Sequence, residues 1–170
     1  MNRPILREMT PDDAARVIAL NEAVVDVTSP IDADRFAELY ALSSLRLVAE
    51  TNCEVVGFVL AMTDACGYDN GNYRWFAKRL KNFLYIDRIV VSATCRGLGL
   101  GRLIYSRIYE LARQTGSVQV CAEMDLNPPN NASLDFHSKA GFIQLGTRIL
   151  ESGKQVSMQT RFLPCEPEKS

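Results

Sequence analysis

Three glycines alternate with larger residues in the segment Arg96-Gly97-Leu98-Gly99-Leu100-Gly101. The segment lies between a predicted buried strand and a predicted amphipathic helix. Glycine has no side chain, so the backbone of such a loop can approach another group closely. The first amides of a helix have no partner within it and lie at its positive end. These residues therefore predict a site for an anion, and a diphosphate suits it best.

Two other glycine-loop patterns fit this segment less well. The dinucleotide-binding pattern GxGxxG requires a glycine where Arg102 stands and an acidic residue about 20 positions later. Residues 118–122 contain no acidic residue. A nucleotide P-loop requires Gly-Lys followed by Ser or Thr, which the sequence lacks. A structural role also stays open, in which the glycines only allow the helix to pack closely on the strand. The arrangement Arg-x-x-Gly-x-Gly is typical of a pyrophosphate-binding loop.

A second polar motif, Asn130-x-x-Ser133-x-x-x-His137, is followed by Gly141-Phe142. His137 is the single histidine of the chain. One histidine excludes multi-histidine zinc sites and HExxH proteases, so we predict no metal site. An imidazole can donate a proton near neutral pH. The alternative is that the ring only packs between Phe136 and the sheet, or hydrogen-bonds a cofactor.

Taken together and in this order, the two motifs resemble those of the GNAT superfamily of acyl-CoA-dependent N-acetyltransferases, and within it a subgroup of predicted acetyltransferases. The glycine loop follows a strand that ends in Ile89-Val90-Val91 and is similar to the acyl-CoA signature of that superfamily. The second motif resembles its Asn-x-x-Ala-x-x-x-Tyr segment with the following Gly-Phe. His137 stands where the family often has tyrosine. The specific motifs lie between residues 83 and 142, and the order of elements agrees over essentially the whole chain.

The resemblance implies acetyl-CoA as the co-substrate. The backbone of Ile89, Val90 and Val91 would pair with the pantetheine arm like an added strand. Asn130 and Ser133 would contact the cofactor on its pantetheine side. The pyrophosphate would be held by the backbone of the loop residues Arg96, Gly97, Leu98, Gly99, Leu100, Gly101 and Arg102. Two parallel strands, over residues 83–91 and 118–126, would splay apart and form the cleft in which the thioester meets the amine.

Acyl transfer to an amine needs a neutral amine and a proton for the leaving thiolate, but no protein nucleophile. The resemblance gives the role of general acid to His137. Asp87 interrupts the apolar strand FLYIDRIVV, and a buried carboxylate is unfavourable unless it is paired. Asp87 is therefore either the base that deprotonates the amine or a structural group satisfied by the backbone or by an arginine. Glu123 and Asp125 lie on one face of the next strand and are further candidates for the base.

The connection over residues 64–82 is rich in Gly, Asn and Asp and is predicted to be irregular. Its length would allow it to close over an acceptor. We predict acceptor contacts from this connection and from the following strand, made by Tyr68, Asp69, Asn70, Tyr73, Trp75 and Tyr85. The connection also carries a basic cluster, formed by Arg74, Lys78, Arg79 and Lys81. That cluster is either a solvated helix face or a site for acidic groups of the substrate or cofactor.

The composition limits the class of protein further. Lys and Arg total 19 against 20 Asp and Glu, a formal net charge of −1, so binding to nucleic acid through overall charge is not expected. The five cysteines include no CxxC pair, which is typical of reduced thiols in a cytoplasmic protein. We find neither a leader peptide nor the roughly 20 consecutive apolar residues that span a bilayer. These features predict a cytoplasmic protein without nucleic-acid or membrane partners.

At 170 residues the chain has the length of one domain, which we predict over residues 1–163 with a polar tail at 164–170. Apolar periodicity predicts strands over residues 5–8, 46–50, 55–63, 83–91, 118–126, 143–150 and 156–162, and helices over residues 10–23, 34–41, 99–115 and 130–140. This order predicts an α/β (α+β layer) fold with a mixed, centrally splayed sheet and helices on both faces. The last two strands form a hairpin whose edge could pair two copies of the chain as a homodimer.

The sequence thus predicts an acetyl-CoA-dependent N-acetyltransferase that transfers its acetyl group directly to a primary amine, on a small molecule rather than a protein. The alternative is a catalytically silent acyl-CoA-binding or regulatory module. The polar set of Asp87, Asn130 and His137 favours the enzyme.

Overall fold

The computed structural model describes residues 4–164, so Cys165 and the rest of the predicted tail lie outside the described residues. In chain order the elements are β1 (Ile5–Glu8), α1 (Ala14–Glu22), α2 (Ala33–Leu42), β2 (Leu45–Thr51), β3 (Glu54–Thr63), α3 (Gly71–Ala77), β4 (Phe83–Val91), α4 (Leu100–Gln114), β5 (Gln119–Asn127), α5 (Asn131–Lys139), β6 (Ile143–Ile149) and β7 (Gln155–Phe162). The strands form one mixed sheet in the order β1-β2-β3-β4-β5-β7-β6. The predicted α/β class is confirmed.

The described chain divides into two compact units, and β4 contributes residues to both. The first unit comprises residues 4–62 and 86–111, and the second comprises residues 63–85 and 112–164. The boundaries of the predicted domain, residues 1–163, stay a prediction.

The first unit is built on the antiparallel strands β1, β2 and β3. The turn between β2 and β3 has positive φ angles at Asn52 (51°) and Cys53 (62°). Two consecutive residues with positive φ form a turn whose twist matches that of a tight hairpin, so β2 and β3 form a hairpin. The core of this unit includes the fully buried side chains of Leu39, Val48, Phe58, Leu60, Ile104 and Ile108.

The second unit is built on β5, β7 and β6, which pair antiparallel in that order. The first residues of β4, Phe83–Tyr85, pair in parallel with Gln119–Cys121 of β5. The parallel pairing of these two strands was predicted and is confirmed. The core of this unit includes Phe76, Phe83, Tyr85, Val120, Cys121 and Met158.

The prediction that residues 64–82 are irregular is wrong for their centre, where α3 forms. The side-chain oxygen of Asn70 accepts hydrogen bonds from the amides of Asn72 (2.9 Å) and Tyr73 (3.1 Å) and so caps the helix. The Tyr73 and Phe76 rings lie 5.7 and 5.9 Å from the Tyr85 ring. A seven-residue helix gains little from its own hydrogen bonds, so this buried aromatic contact stabilises it.

Two glycines allow α3 and β6 to approach each other closely. A Cβ atom at Gly146 of β6 would lie 2.9 Å from Cζ2 of Trp75, and a Cβ atom at Gly71 would lie 2.8 Å from Nη2 of Arg148. Arg148 also donates a hydrogen bond to the side chain of Asn72. Each element therefore places one large side chain over a glycine of the other.

The four cysteines of residues 4–164, namely Cys53, Cys66, Cys95 and Cys121, are free thiols. No helix among the described residues is long and apolar enough to cross a membrane.

Candidate functional site

The glycine loop connects β4 to α4. Gly97 and Gly99 have φ angles of 76° and 78°, a left-handed conformation that glycine adopts without a steric penalty. The amide of Leu103 donates to the carbonyl of Gly99 at 3.1 Å, so Gly99 accepts the first hydrogen bond of α4. Gly101 lies inside the first helical turn. Gly97 and Gly99 are therefore required by the path of the backbone, and not only by packing.

The beginning of α4 has the properties of an anion-binding site. The helix is 15 residues long, so the amides of its first turn lie at the positive end of a full dipole. The guanidinium of Arg102 lies over the loop, with Nη2 3.8 Å from the position of a Cβ atom at Gly99. Leu98 is 57% exposed, and Arg96 and Gly97 are exposed as well. A diphosphate would thus meet an accessible backbone loop beside a cation.

The end of β4 is anchored to β3 through the backbone. The amide of Ser92 donates to the carbonyl of Val56 at 2.8 Å. A Cβ atom at Gly57 would lie 2.9 Å from the carbonyl oxygen of Val90, so only glycine fits at position 57. The side chain of Val90 is buried, whereas Ile89 and Val91 are half-buried. This anchoring fixes the main chain of the segment that the family resemblance assigns to the pantetheine arm.

Asp87 is paired with its neighbour on β4. Nε of Arg88 lies 3.3 Å from Oδ2 of Asp87, and both side chains are 6% exposed. Consecutive residues of a strand point to opposite faces of the sheet, yet the guanidinium of Arg88 reaches back to the Asp87 carboxylate. The structural alternative for Asp87, satisfaction by an arginine, is thus the arrangement seen in the structure.

Glu123 of β5 lies beside Tyr85 in the second unit. The Tyr85 hydroxyl donates a hydrogen bond to Oε1 of Glu123 at 3.0 Å. Tyr85 itself is fully buried, so its ring holds the hydroxyl in a fixed place. Asp125, two residues further along β5, has its Oδ2 atom 3.3 Å from Nζ of Lys154. Of these two carboxylates, Glu123 is bonded to a neutral donor and Asp125 to a cation.

The second motif forms the start of α5. The side-chain oxygen of Asn130 accepts from the amide of Ser133 at 3.2 Å, which makes Asn130 the N-cap that its residue type predicts. One turn later, Oγ of Ser133 lies 3.3 Å from Nδ1 of His137. The predicted residues Asn130, Ser133 and His137 therefore lie together on successive turns of one helix.

The protonation of His137 follows from its surroundings. Nδ1 lies 2.7 Å from the carbonyl oxygen of Ser133, and a carbonyl can only accept, so Nδ1 carries the proton of the neutral ring. The ring lies edge-on to Phe136 and Phe142, with centroids at 5.4 and 5.0 Å. Burial lowers the pKa of His137 below its usual value, although the bond to Ser133 opposes this shift. Proton donation from Nε2 would require the doubly protonated ring, which burial disfavours.

The residues predicted to contact the acceptor have mainly structural partners. Tyr68, Tyr73 and Tyr85 are buried, and their contact with an acceptor stays a prediction. The Tyr73 hydroxyl donates to the carbonyl of Thr63 at 2.9 Å, and burial is the main reason that the pKa of Tyr73 is raised. Three further residues are engaged locally: Asn70 in the cap of α3, Asp69 with Arg74, and Trp75 against Gly146.

Sequence reasoning missed several contacts of the site. The roles of Arg88 and of Gly57 were not expected, nor was the bond between Ser133 and His137. The Asp-Arg pair within an apolar strand was the available signal for Arg88, because two buried charges side by side are most easily accommodated as a pair. Among residues 4–164, no group of three or more His, Cys, Asp and Glu side chains could hold a metal ion.

With the loop and the helix motif in place, comparison with known proteins gives the class. The acetyltransferase (GNAT) family model matches residues 16–142. The chain belongs to this family and is an N-acetyltransferase, as the two motifs predicted.

Individual relatives agree with this class. A protein of Oryza sativa subsp. japonica, "Probable glucosamine 6-phosphate N-acetyltransferase 2", is 29% identical over 146 residues, which cover 84% of this chain and 82% of that protein. Two solved structures show the same fold. Ard1 from Thermoplasma volcanium has a TM-score of 0.78 at 16% identity, covering 95% of this chain and 98% of its own. The yncA structure from Salmonella typhimurium, solved with its cofactor acetyl-CoA, has a TM-score of 0.72 at 20% identity, covering 99% of this chain and 100% of its own.

Proposed function

We propose that this protein transfers the acetyl group of acetyl-CoA directly to a primary amine of a small-molecule acceptor. The observation that carries the proposal is the loop in which Gly97 and Gly99 adopt positive φ angles immediately before the 15-residue helix α4. Membership of the GNAT family supports the use of acetyl-CoA.

The residues present fit the cofactor. Its diphosphate would be held by the amides of the segment Gly97–Arg102 and by the guanidinium of Arg102, which leans over Gly99. The backbone of residues 89–91 would hold the pantetheine arm, and the family resemblance assigns further cofactor contacts to Asn130 and Ser133. When bound, acetyl-CoA supplies the acetyl group as an activated thioester.

The protonated amine must lose a proton before its nitrogen can attack the thioester. We assign the role of the base that accepts this proton to Glu123. Oε1 of Glu123 is oriented by the Tyr85 hydroxyl, a neutral donor. Asp87, in contrast, is already paired with the buried guanidinium of Arg88. Asp87 is the second candidate for the base. Comparison of kcat for Asp87→Asn and Glu123→Gln shows which of the two carboxylates acts as the base.

For His137 we favour a positioning role over that of a general acid. Its Nδ1 proton is donated to the Ser133 carbonyl, and burial opposes a second proton on the ring. The ring then orients the first two turns of α5, which carry the cofactor-binding candidates Asn130 and Ser133.

Amino-sugar phosphates are the first acceptor class to test. The relative from Oryza sativa subsp. japonica is named for glucosamine 6-phosphate, and its match covers most of both chains. A protein acceptor and a free amino acid are the competing classes.

The experiment measures the thiol released from acetyl-CoA in the presence of amino sugars, their phosphates, amino acids and peptides with a free amino terminus. We expect thiol release with at least one small amine and an acetylated product of the matching mass. Tight binding of acetyl-CoA without release for any amine would refute transfer and favour a silent acyl-CoA-binding module. Turnover of peptides alone would refute the small-molecule acceptor.

A further inference from the structure

The first unit contains a buried cation to which the proposed acetyl transfer gives no direct role. Arg88 is 7% exposed, and a buried guanidinium is strongly destabilising unless its donors are satisfied. Nε lies 3.3 Å from Oδ2 of Asp87, and Nη1 donates to Oδ1 of Asn21 at 3.0 Å. Nη1 also donates to the backbone carbonyl of Ser29. One guanidinium thus joins three separate parts of the chain.

Asn21 makes this arrangement specific. It lies in the last turn of α1 with no exposed surface, and its Nδ2 group donates to the Ser29 carbonyl at 2.8 Å. The amide therefore has one possible orientation, with its oxygen towards Arg88 and its nitrogen towards Ser29. The carbonyl of Ser29 accepts from both side chains.

Ser29 lies in the connection between α1 and α2, residues 23–32, which we call the α1–α2 connection. Residues 24–28 of this connection form backbone hydrogen bonds with near neighbours in sequence, as in the bond from the Thr28 amide to the Val25 carbonyl. Val27 is 48% exposed. The bonds to the Ser29 carbonyl, together with the buried side chain of Ile31, hold the connection in place from inside.

We propose that Arg88 is a positioning residue that holds the α1–α2 connection and the Asp87 carboxylate as one rigid arrangement. The hydrogen bonds themselves do not depend on the reaction. Arg88 would act on the acceptor only through Asp87, the second candidate for the base, and this link rests on the proposed function. Because the loop residues 96–102 take no part in these bonds, the cofactor affinity is not expected to depend on Arg88.

Hydrogen exchange on the full-length protein tests the proposal without any acceptor. In Arg88→Met, the amides of the α1–α2 connection should exchange at least about tenfold faster, because the bonds to Ser29 are lost. Arg88→Lys should restore most of the protection, since an ammonium has three donors for the same oxygens. Arg46→Met is the matched control, because Arg46 is a partly buried arginine of the same unit that bonds to Tyr40 and Glu8 instead.

Unchanged exchange in the α1–α2 connection of Arg88→Met would overturn the proposal. So would equal acceleration throughout the unit, which would mean that Arg88 stabilises the whole fold. If Arg88→Met does not fold, Asn21→Ala takes its place and should give the same local acceleration; unchanged or uniform exchange in that variant would overturn the proposal equally.

Kinetics then test the link to the reaction. With an amine accepted by the wild-type protein, Arg88→Met should raise the KM of the acceptor at least about fivefold while the KM of acetyl-CoA stays unchanged. A rise in both KM values would contradict a role confined to the acceptor. If the wild-type protein acetylates no amine, the proposed function fails, and the exchange result still decides the role of Arg88.

Discussion

Nδ1 of His137 lies 2.7 Å from the carbonyl oxygen of Ser133, one helical turn earlier. This bond uses the proton of the neutral ring, and burial lowers the pKa of His137. The residue that stands where the family often has tyrosine is thus poorly arranged to donate a proton from Nε2. The residue type alone suggested the opposite role.

We therefore expect His137→Phe to keep kcat within about threefold of wild type at saturating acetyl-CoA, because loss of a general acid would instead reduce it about 100-fold or more. The measurement is kcat between pH 6 and pH 9 on an accepted amine. Because burial holds the pKa of His137 below the usual value of about 6.5, the ring is already neutral at pH 7. The wild-type kcat should therefore show no fall above pH 7 that titration of this histidine would cause. A 100-fold fall in the variant would restore the general-acid role.

The carboxylate variants rank the two candidate bases. Glu123→Gln should reduce kcat about 100-fold or more, as expected when a general base is removed, and Asp87→Asn should reduce it less than tenfold. Tyr85→Phe removes the hydroxyl that donates to Glu123 and should reduce kcat by an intermediate factor with little change in the KM of acetyl-CoA. A larger loss for Asp87→Asn than for Glu123→Gln would reverse the assignment.

Alanine substitutions at two glycines with nearly the same φ angle distinguish an effect on cofactor binding from an effect of backbone strain on stability. Gly97 and Gly116 have φ angles of 76° and 78°, and a Cβ atom at either would meet no other atom within 4 Å. Alanine at either position should destabilise the protein by about 1 kcal/mol. Only Gly97→Ala should raise the Kd of acetyl-CoA, by about tenfold, which calorimetry can measure. Equal Kd values for the two variants would argue against the loop as the diphosphate site.

The contact between α3 and β6 predicts a coupled pair of substitutions. Gly146→Ala would place a Cβ atom 2.9 Å from Cζ2 of Trp75, and such overpacking should lower the free energy of unfolding by about 1–3 kcal/mol. In the background of Trp75→Leu the same substitution should be less destabilising, because the bulky ring is gone. Chemical denaturation of the four proteins of this cycle gives the coupling, and additive effects would show that Trp75 does not fill the space over Gly146.

Acid should weaken the first unit through Asp13. Its carboxylate bonds to Arg7 at 2.8 Å, and this bond is the main reason that the pKa of Asp13 is lowered. Because the pKa of Asp13 is lower in the folded state than the unfolded value of about 3.9, ionised Asp13 stabilises the fold above that pH. This stabilisation is lost as the pH falls from that value through the folded-state pKa.

Asp13→Asn should remove at most about 1 kcal/mol of stability at pH 7, because Arg7 is partly exposed. It should remove less at pH 3, as urea unfolding at the two pH values would show. An equal loss at both pH values would mean that the Asp13 charge contributes nothing.

Features that depend on neighbours in sequence could be predicted from the sequence alone. The loop Arg96–Gly101, the cap at Asn130 and the apolar stripe of α4 are all set within one or two turns of chain. Local backbone conformation and helix periodicity suffice for such features. The sequence by itself therefore determined the class of fold, the family and the candidate cofactor loop.

Contacts between residues far apart in the chain were decided only by the tertiary structure. The helix α3 forms because Tyr73 and Phe76 are buried against Tyr85. Arg88 bonds to Asn21 and Ser29, which are 67 and 59 positions away in the sequence. The sequence shows which side chains can carry a charge or donate a proton. Which of them are buried, paired or oriented depends on the atoms that folding brings beside them, because desolvation and hydrogen bonding act over a few ångströms of space and not along the chain.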